Sequence, residues 1–160
     1  MDTIKSFENL SFRQAMWLLP ISLIIHVSEE FPRFVPWATK FIDKSYTQSW
    51  FIVENIVLFV IVILSVLTAK YSRGKIGIIL VLSPAVGFFV NMIFHASLTL
   101  STGVYSPGTV TACLFFTSIP IYVYYLAKKE NLLTITTVVS SIILGIIVMP
   151  IVLNIVHRIA

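Results

Sequence analysis

His26-Val27-Ser28-Glu29-Glu30 closes an apolar run from Ala15 to Ile25 and sets ionisable side chains at i, i+3 and i+4. On a helix these positions share one face. Ionisable groups at the edge of a hydrocarbon-compatible segment are costly, and they mark a partner, an ion or a chemical task. Two expectations follow from this stretch. The chain is built of membrane helices, and other helices bring partners to this one.

The whole composition agrees. Of 160 residues, 58% are hydrophobic and 11% charged, with a mean hydropathy of +0.96, against roughly 25% charged residues in a soluble domain. An integral, multi-pass protein of the cell membrane is expected, with the lipid bilayer as its partner. The net charge of +4 is spread over loops, so it is read as membrane orientation and not as nucleic-acid binding. The single cysteine, Cys113, lies in an apolar run; it forms no CxxC motif or disulfide framework and is read as a small core residue. The first apolar run ends in His26 and two glutamates rather than small residues, so it is expected to be retained as a span rather than cleaved as a signal peptide.

Hydrophobic runs and their punctuation predict an all-α polytopic membrane helical bundle forming a single transmembrane domain over residues 1–160. About five transmembrane helices are expected, at about 12–30, 48–69, 76–100, 109–127 and 132–156, each close to the length that crosses roughly 30 Å. Ser11 or Asn9 is a candidate N-cap for the first, and Pro20 a candidate bend. After it, Pro32 and Pro36 interrupt regular helix. Trp37 and Phe41 then form one stripe and Lys40 and Lys44 another, which predicts a short interfacial helix, from Pro36 to Tyr46, roofing the outer end of the bundle. Ser83-Pro84 and Gly87 predict a kink in the third span, and Gly145 close helix packing in the fifth. With the N-terminus cytoplasmic and the C-terminus outside, Lys5, Arg13, Lys70, Arg73, Lys75, Lys128 and Lys129 fall inside, seven of the eleven basic residues. The positive-inside bias favours that orientation.

This topology places the polar residues at one depth. His26, Glu29 and Glu30 end span one, Glu54 starts span two, and Asn91 and His95 stand at i, i+4 in the outer third of span three. Thr109 and Thr111 open span four, and Asn154 and His157 end span five. A shared polar site near one face of the membrane is the reading. Two histidines and two or three carboxylates offer nitrogen and oxygen ligands suited to a divalent transition metal, zinc, iron or manganese. His26, Glu30, Glu54 and His95 are the expected metal ligands. Glu29 is the candidate general base or supporting group, and Asn91 the residue that orients a ligand or substrate oxygen. Tyr105 to Gly108 reads most simply as a loop turn, with turn chemistry in Pro107-Gly108, from which Tyr105 could alternatively hydrogen-bond into the site, and His157 is as well suited to water as to the site. Without a metal, Glu beside His is a general acid–base pair. A transmembrane proton path is disfavoured, because the inner halves of the helices carry no continuing polar track.

With His26-x-x-Glu29-Glu30 followed by Asn91-x-x-x-His95 and then Tyr105-Ser-Pro-Gly108-Thr109, the chain resembles the HXXEE-motif family of small bacterial membrane proteins. The resemblance runs from about Phe12 to span four or five. It implies that these motifs define the family, with His26, Glu29, Glu30, Asn91 and His95 as the positions of interest, and it implies no activity. From residue chemistry the expected function is a membrane-embedded, metal-dependent enzyme acting on a lipid-like or amphiphilic small-molecule substrate from the outer leaflet. Zinc would point to hydrolysis, and a carboxylate-bridged pair of irons to oxidation. The alternatives are a non-catalytic binding or transport protein for a cationic or lipid ligand, and a metal-free acid–base isomerase.

Overall fold

The structure, a computed structural model, describes residues 10–72 and 74–159. Seven helices follow in order among them: α1 (Phe12–Ala15), α2 (Leu18–Glu30), α3 (Phe34–Phe41), α4 (Gln48–Tyr71), α5 (Lys75–Thr102), α6 (Thr109–Lys129) and α7 (Ile135–Ile159). The described residues form no strand, and the fold is an all-α polytopic bundle. Four stretches, Gln48–Tyr71, Lys75–Thr102, Thr109–Lys129 and Ile135–Val156, are long and apolar enough to cross a membrane.

The stretch expected as a first span, about 12–30, forms two short helices in place of one of membrane length, so four of the five expected spans are found. Ser11 caps α1 and forms a capping box with Gln14. Pro20 has no N–H to give the carbonyl of Met16, and its ring crowds that carbonyl. The chain answers with a tight turn through Met16 and Trp17, in which the Leu19 N–H reaches the Met16 carbonyl at 3.2 Å. The break therefore lies one turn before the proline instead of at it. Both pieces still pack along α6. At one end the Phe12 N–H donates to Glu130 at 2.5 Å, and at the other the Thr111 N–H donates to Glu29 at 2.8 Å. Residues 12–30 thus run antiparallel beside all of α6, about 30 Å, and form the fifth rod of the bundle.

Helix α5 is the hub, packing on α4, α6 and α7. It runs through Ser83-Pro84 as one helix. Its closest approach is to α7 at Gly145, where a Cβ would lie 2.5 Å from the Ser83 carbonyl oxygen and 2.6 Å from the Val86 Cβ. The packing role expected of Gly145 is the one it has. The main core joins Phe12, Met16 and Leu19 of the first rod to Val62 and Val66 of α4, Val81, Leu82 and Phe88 of α5, and Phe116 and Val123 of α6. Cys113, expected in that core, lies instead on the exposed face of α6.

A second, smaller cluster gathers Phe34, Trp37 and Ala38 of α3 with Tyr46 and Phe51. The short helix after the first rod begins two residues before the expected Pro36 and ends at Phe41, because the Phe34 ring anchors it between Phe51 and His95, at centroid distances of 5.6 and 5.9 Å. It covers the end of the bundle that holds His26 and His95, with Lys40 and Lys44 exposed.

Gly145→Val is expected to destabilise the detergent-solubilised protein by about 1–3 kcal/mol through overpacking of α5 against α7, read by thermal unfolding. At Gly87 an added Cβ meets only the Gly145 carbonyl oxygen at 3.6 Å, so Gly87→Ala is expected to change stability by less than about 1 kcal/mol.

Candidate metal centre

His26 and Glu30 are one turn apart on α2 and face inward, and His95 meets them from α5. The three are buried, with exposures of 2%, 5% and 1%. Glu30 Oε1 stands 3.5 Å from His26 Nε2 and 3.1 Å from His95 Nε2, and one ligand atom from each of the three residues lies within 4.8 Å of the other two. This is a two-imidazole, one-carboxylate group able to hold a metal ion.

Both rings are turned by hydroxyls behind them. His26 Nδ1 lies 3.0 Å from Thr111 Oγ1, and His95 Nδ1 lies 3.0 Å from Ser106 Oγ. The Thr111 hydroxyl can donate its own proton to the Gly108 carbonyl at 3.2 Å, and in that pattern it accepts from His26 Nδ1–H. A neutral His26 then carries its proton on Nδ1 and a lone pair on Nε2. This Nε2 is buried without a hydrogen-bond partner. In that tautomer a lone pair faces a buried carboxylate oxygen, an arrangement that a bound cation or a shared proton would reconcile.

The turn before α6 completes the cradle. Gly108 has φ +96°, and a Cβ on it would lie 2.7 Å from His26 Cε1, 2.9 Å from Glu30 Cγ and 3.0 Å from His95 Cε1. Only glycine can hold this backbone against all three side chains. Thr99 Oγ1 accepts from the Ser106 N–H at 3.0 Å, tying the turn back to α5. Phe116 closes the inner side, its ring 4.4 Å from that of His26 and stacked at 4.2 Å on Phe88.

The remaining expected residues fall elsewhere. Glu29 is turned away from the three. Its Oε1 accepts from the Tyr105 hydroxyl and the Gly108 N–H at 3.2 Å, and its Oε2 accepts from the Thr111 N–H at 2.8 Å. It thereby satisfies backbone donors at the positive N-terminal end of α6 from another helix. Glu54 is buried but outside the group of three, with its Oε2 accepting from the Tyr46 hydroxyl at 2.6 Å. The four-ligand set expected from sequence is thus a group of three with a neighbouring Glu54–Tyr46 pair. Burial first, then the Glu54 carboxylate, pushes the Tyr46 phenol well above its usual range, and burial with Glu29 raises that of Tyr105. Both phenols remain donors. Asn154 is exposed, and the side chain of His157 lies outside the described residues. Ser106 and Gly108 are the partners that sequence reasoning passed over. The turn signal Pro107-Gly108 marked the place without showing what it touches.

Asn91 lies one turn below His95 with its Oδ1 buried and unpartnered. It opens onto a cavity of about 390 Å³ that His26 and Glu30 border at one end and that mainly apolar side chains of α4, α5 and α7, with Ser65, Thr68 and Ser83 among them, line for the rest. Leu23 and Asn55 separate this cavity from an apolar groove between α2 and α4.

The family described as "Protein of unknown function with HXXEE motif" matches residues 17–125, which include His26, Glu29, Glu30, Asn91, His95 and Gly108. No curated protein and no solved structure matches the chain.

Gly108→Ala is expected to cost at least about 1 kcal/mol for the left-handed backbone alone, with a further cost for displacing the two imidazoles, read as a lowered unfolding temperature. Glu29→Ala is expected to cost about 0.5–2 kcal/mol through loss of the α6 cap, read by the same unfolding measurement.

Proposed function

The chain belongs to the HXXEE-motif family, and from that premise we propose that it is a membrane-embedded, metal-dependent enzyme. In this reading His26, Glu30 and His95 hold one divalent transition metal, and the substrate is a lipid-like or amphiphilic small molecule in the adjoining cavity. The observation that carries it is the convergence of His26 Nε2, His95 Nε2 and Glu30 Oε1, with both rings fixed from behind. Ligands at 2.0–2.2 Å from a common metal lie about 3.0–3.5 Å apart, and the two Nε2–Oε1 separations are 3.5 and 3.1 Å. Buried, hydroxyl-oriented histidines are the kind of supporting arrangement that tunes metal ligands.

Two imidazoles and one carboxylate leave a coordination position open. Such sets serve catalytic zinc, where the metal activates water or polarises a carbonyl, and non-haem iron, where it handles oxidation. One carboxylate in the group favours a single metal over the carboxylate-bridged pair of irons that the sequence left open. The chain's own residues then have distinct tasks. Glu29 holds Gly108 and Thr111 in place, and Thr111 in turn fixes the ring of His26. The free Oδ1 of Asn91 takes a hydrogen bond from a substrate hydroxyl or a water. Phe116 and the aromatic cluster under α3 exclude bulk water. A metal-free acid–base isomerase is favoured by one distance, the 3.1 Å contact between Glu30 and His95, which is close enough to pass a proton.

Elemental analysis of the detergent-purified protein distinguishes these readings. Near-stoichiometric zinc, iron or manganese is expected in the wild type and in Glu54→Gln, with at least a ten-fold loss in His26→Ala and His95→Ala. Wild-type protein purified without chelators that carries no metal and binds none on titration would contradict the proposal and favour the acid–base reading. Loss of metal in Glu54→Gln as well would restore a fourth ligand.

A further inference from the structure

The cavity beneath the candidate metal centre is elongated and open along part of its length. On α4 its lining runs from Asn55 to Thr68, and on α5 from Asn91 back to Leu80, so it extends for about 15–20 Å along the helices at 1.5 Å per residue. A volume of about 390 Å³ over that length is on the scale of a slender hydrocarbon chain. Its polar end is closed. His26, Glu30 and His95 are buried, with Gly108 packed against them and the Phe34 ring of α3 5.9 Å from that of His95. A bulky head group finds no space there, whereas a carboxyl, hydroxyl or aldehyde does. Asn91 supplies an unpartnered buried oxygen at that same end.

We propose that the cavity is the binding site of a single-chain amphiphile with a small oxygen head group, a fatty acid, alcohol or aldehyde, held head-first against His26, Glu30 and Asn91. The proposal rests on the metal-enzyme reading for its chemistry and on the cavity alone for its shape. Gly87 sets the usable length. It lines the cavity one turn below Asn91, and only the Gly145 carbonyl oxygen lies within 4 Å of where its Cβ would be. The missing side chain is what lets a chain pass from the polar end to the half lined by Ser65, Thr68 and Leu80. A larger residue there would cut off about 10 Å of the cavity.

The test is binding of saturated n-alkanoic acids of increasing length to the purified, metal-analysed protein, read by native mass spectrometry. Each methylene that enters apolar surroundings contributes about 0.8 kcal/mol, so affinity should rise about four-fold per methylene until the cavity is full and then stop rising. Gly87→Leu is expected to move that plateau to shorter chains while keeping the wild-type metal content. Leu144→Phe, on the facing α7 wall, is expected to do the same if Gly87→Leu proves poorly folded. A flat dependence on length, or a plateau that neither variant moves, would overturn the single-chain assignment. Metal content separates the two claims. Metal retained without a length ladder defeats this inference alone, and a ladder without metal supports it while defeating the metal reading.

Discussion

Two buried imidazoles gathered around one buried carboxylate are the constraint around which this protein is arranged. His26 Nε2 and His95 Nε2 stand 3.5 and 3.1 Å from Glu30 Oε1. In a low-dielectric interior such a contact needs a positive charge or a proton at its centre. Holding the groups there takes most of the surrounding features. Glu29 docks the end of α6, and Gly108 makes room for the ring edges. Thr111 and Ser106 turn the imidazoles, and Phe34 and Phe116 close the space above and below.

The rest of the bundle positions this end. Residues 12–30 travel the full length of α6, so that the HXXEE stretch arrives where α6 begins. Helix α5 carries His95 near its far end and is held to α7 by the Gly145 contact. The short α3 helix is bound by aromatic contacts in place of a lipid interface alone. Below the three side chains the packing leaves a cavity, and the unpaired amide oxygen of Asn91 meets it at its polar end. The buried His26 and Glu30 side chains and a largely apolar cavity are thus continuous.

Much of this was legible in the chain itself. Apolar runs of membrane length separated by turns imply the rods, and the depth at which His26, Glu30, Asn91 and His95 fall implies a shared end. What spacing could not resolve was direction around each axis. Successive helical residues diverge by about 100°, so Glu29 and Glu30 both lie near His26 on a wheel yet point to different neighbours, one to the N-terminus of α6 and one to His95. Glu54 has the right depth but belongs with Tyr46, a pairing set by the chain between α3 and α4 that no periodicity encodes. The break at Met16 and Trp17 lies one turn ahead of Pro20 because the missing bond belongs to the carbonyl four residues earlier. Gly108 was visible as a turn residue, and its deeper reason, contact with three side chains from two other helices, is tertiary.

The most direct measurement of the central claim is X-ray absorption at the metal edge of the purified, metal-loaded protein. The account predicts a mononuclear centre with two imidazole nitrogens at about 2.0–2.1 Å and carboxylate or water oxygens at about 2.0–2.2 Å, and with the outer-shell scattering of imidazole rings. A shell of oxygen or sulfur without imidazole, or a second metal at short distance, would contradict it.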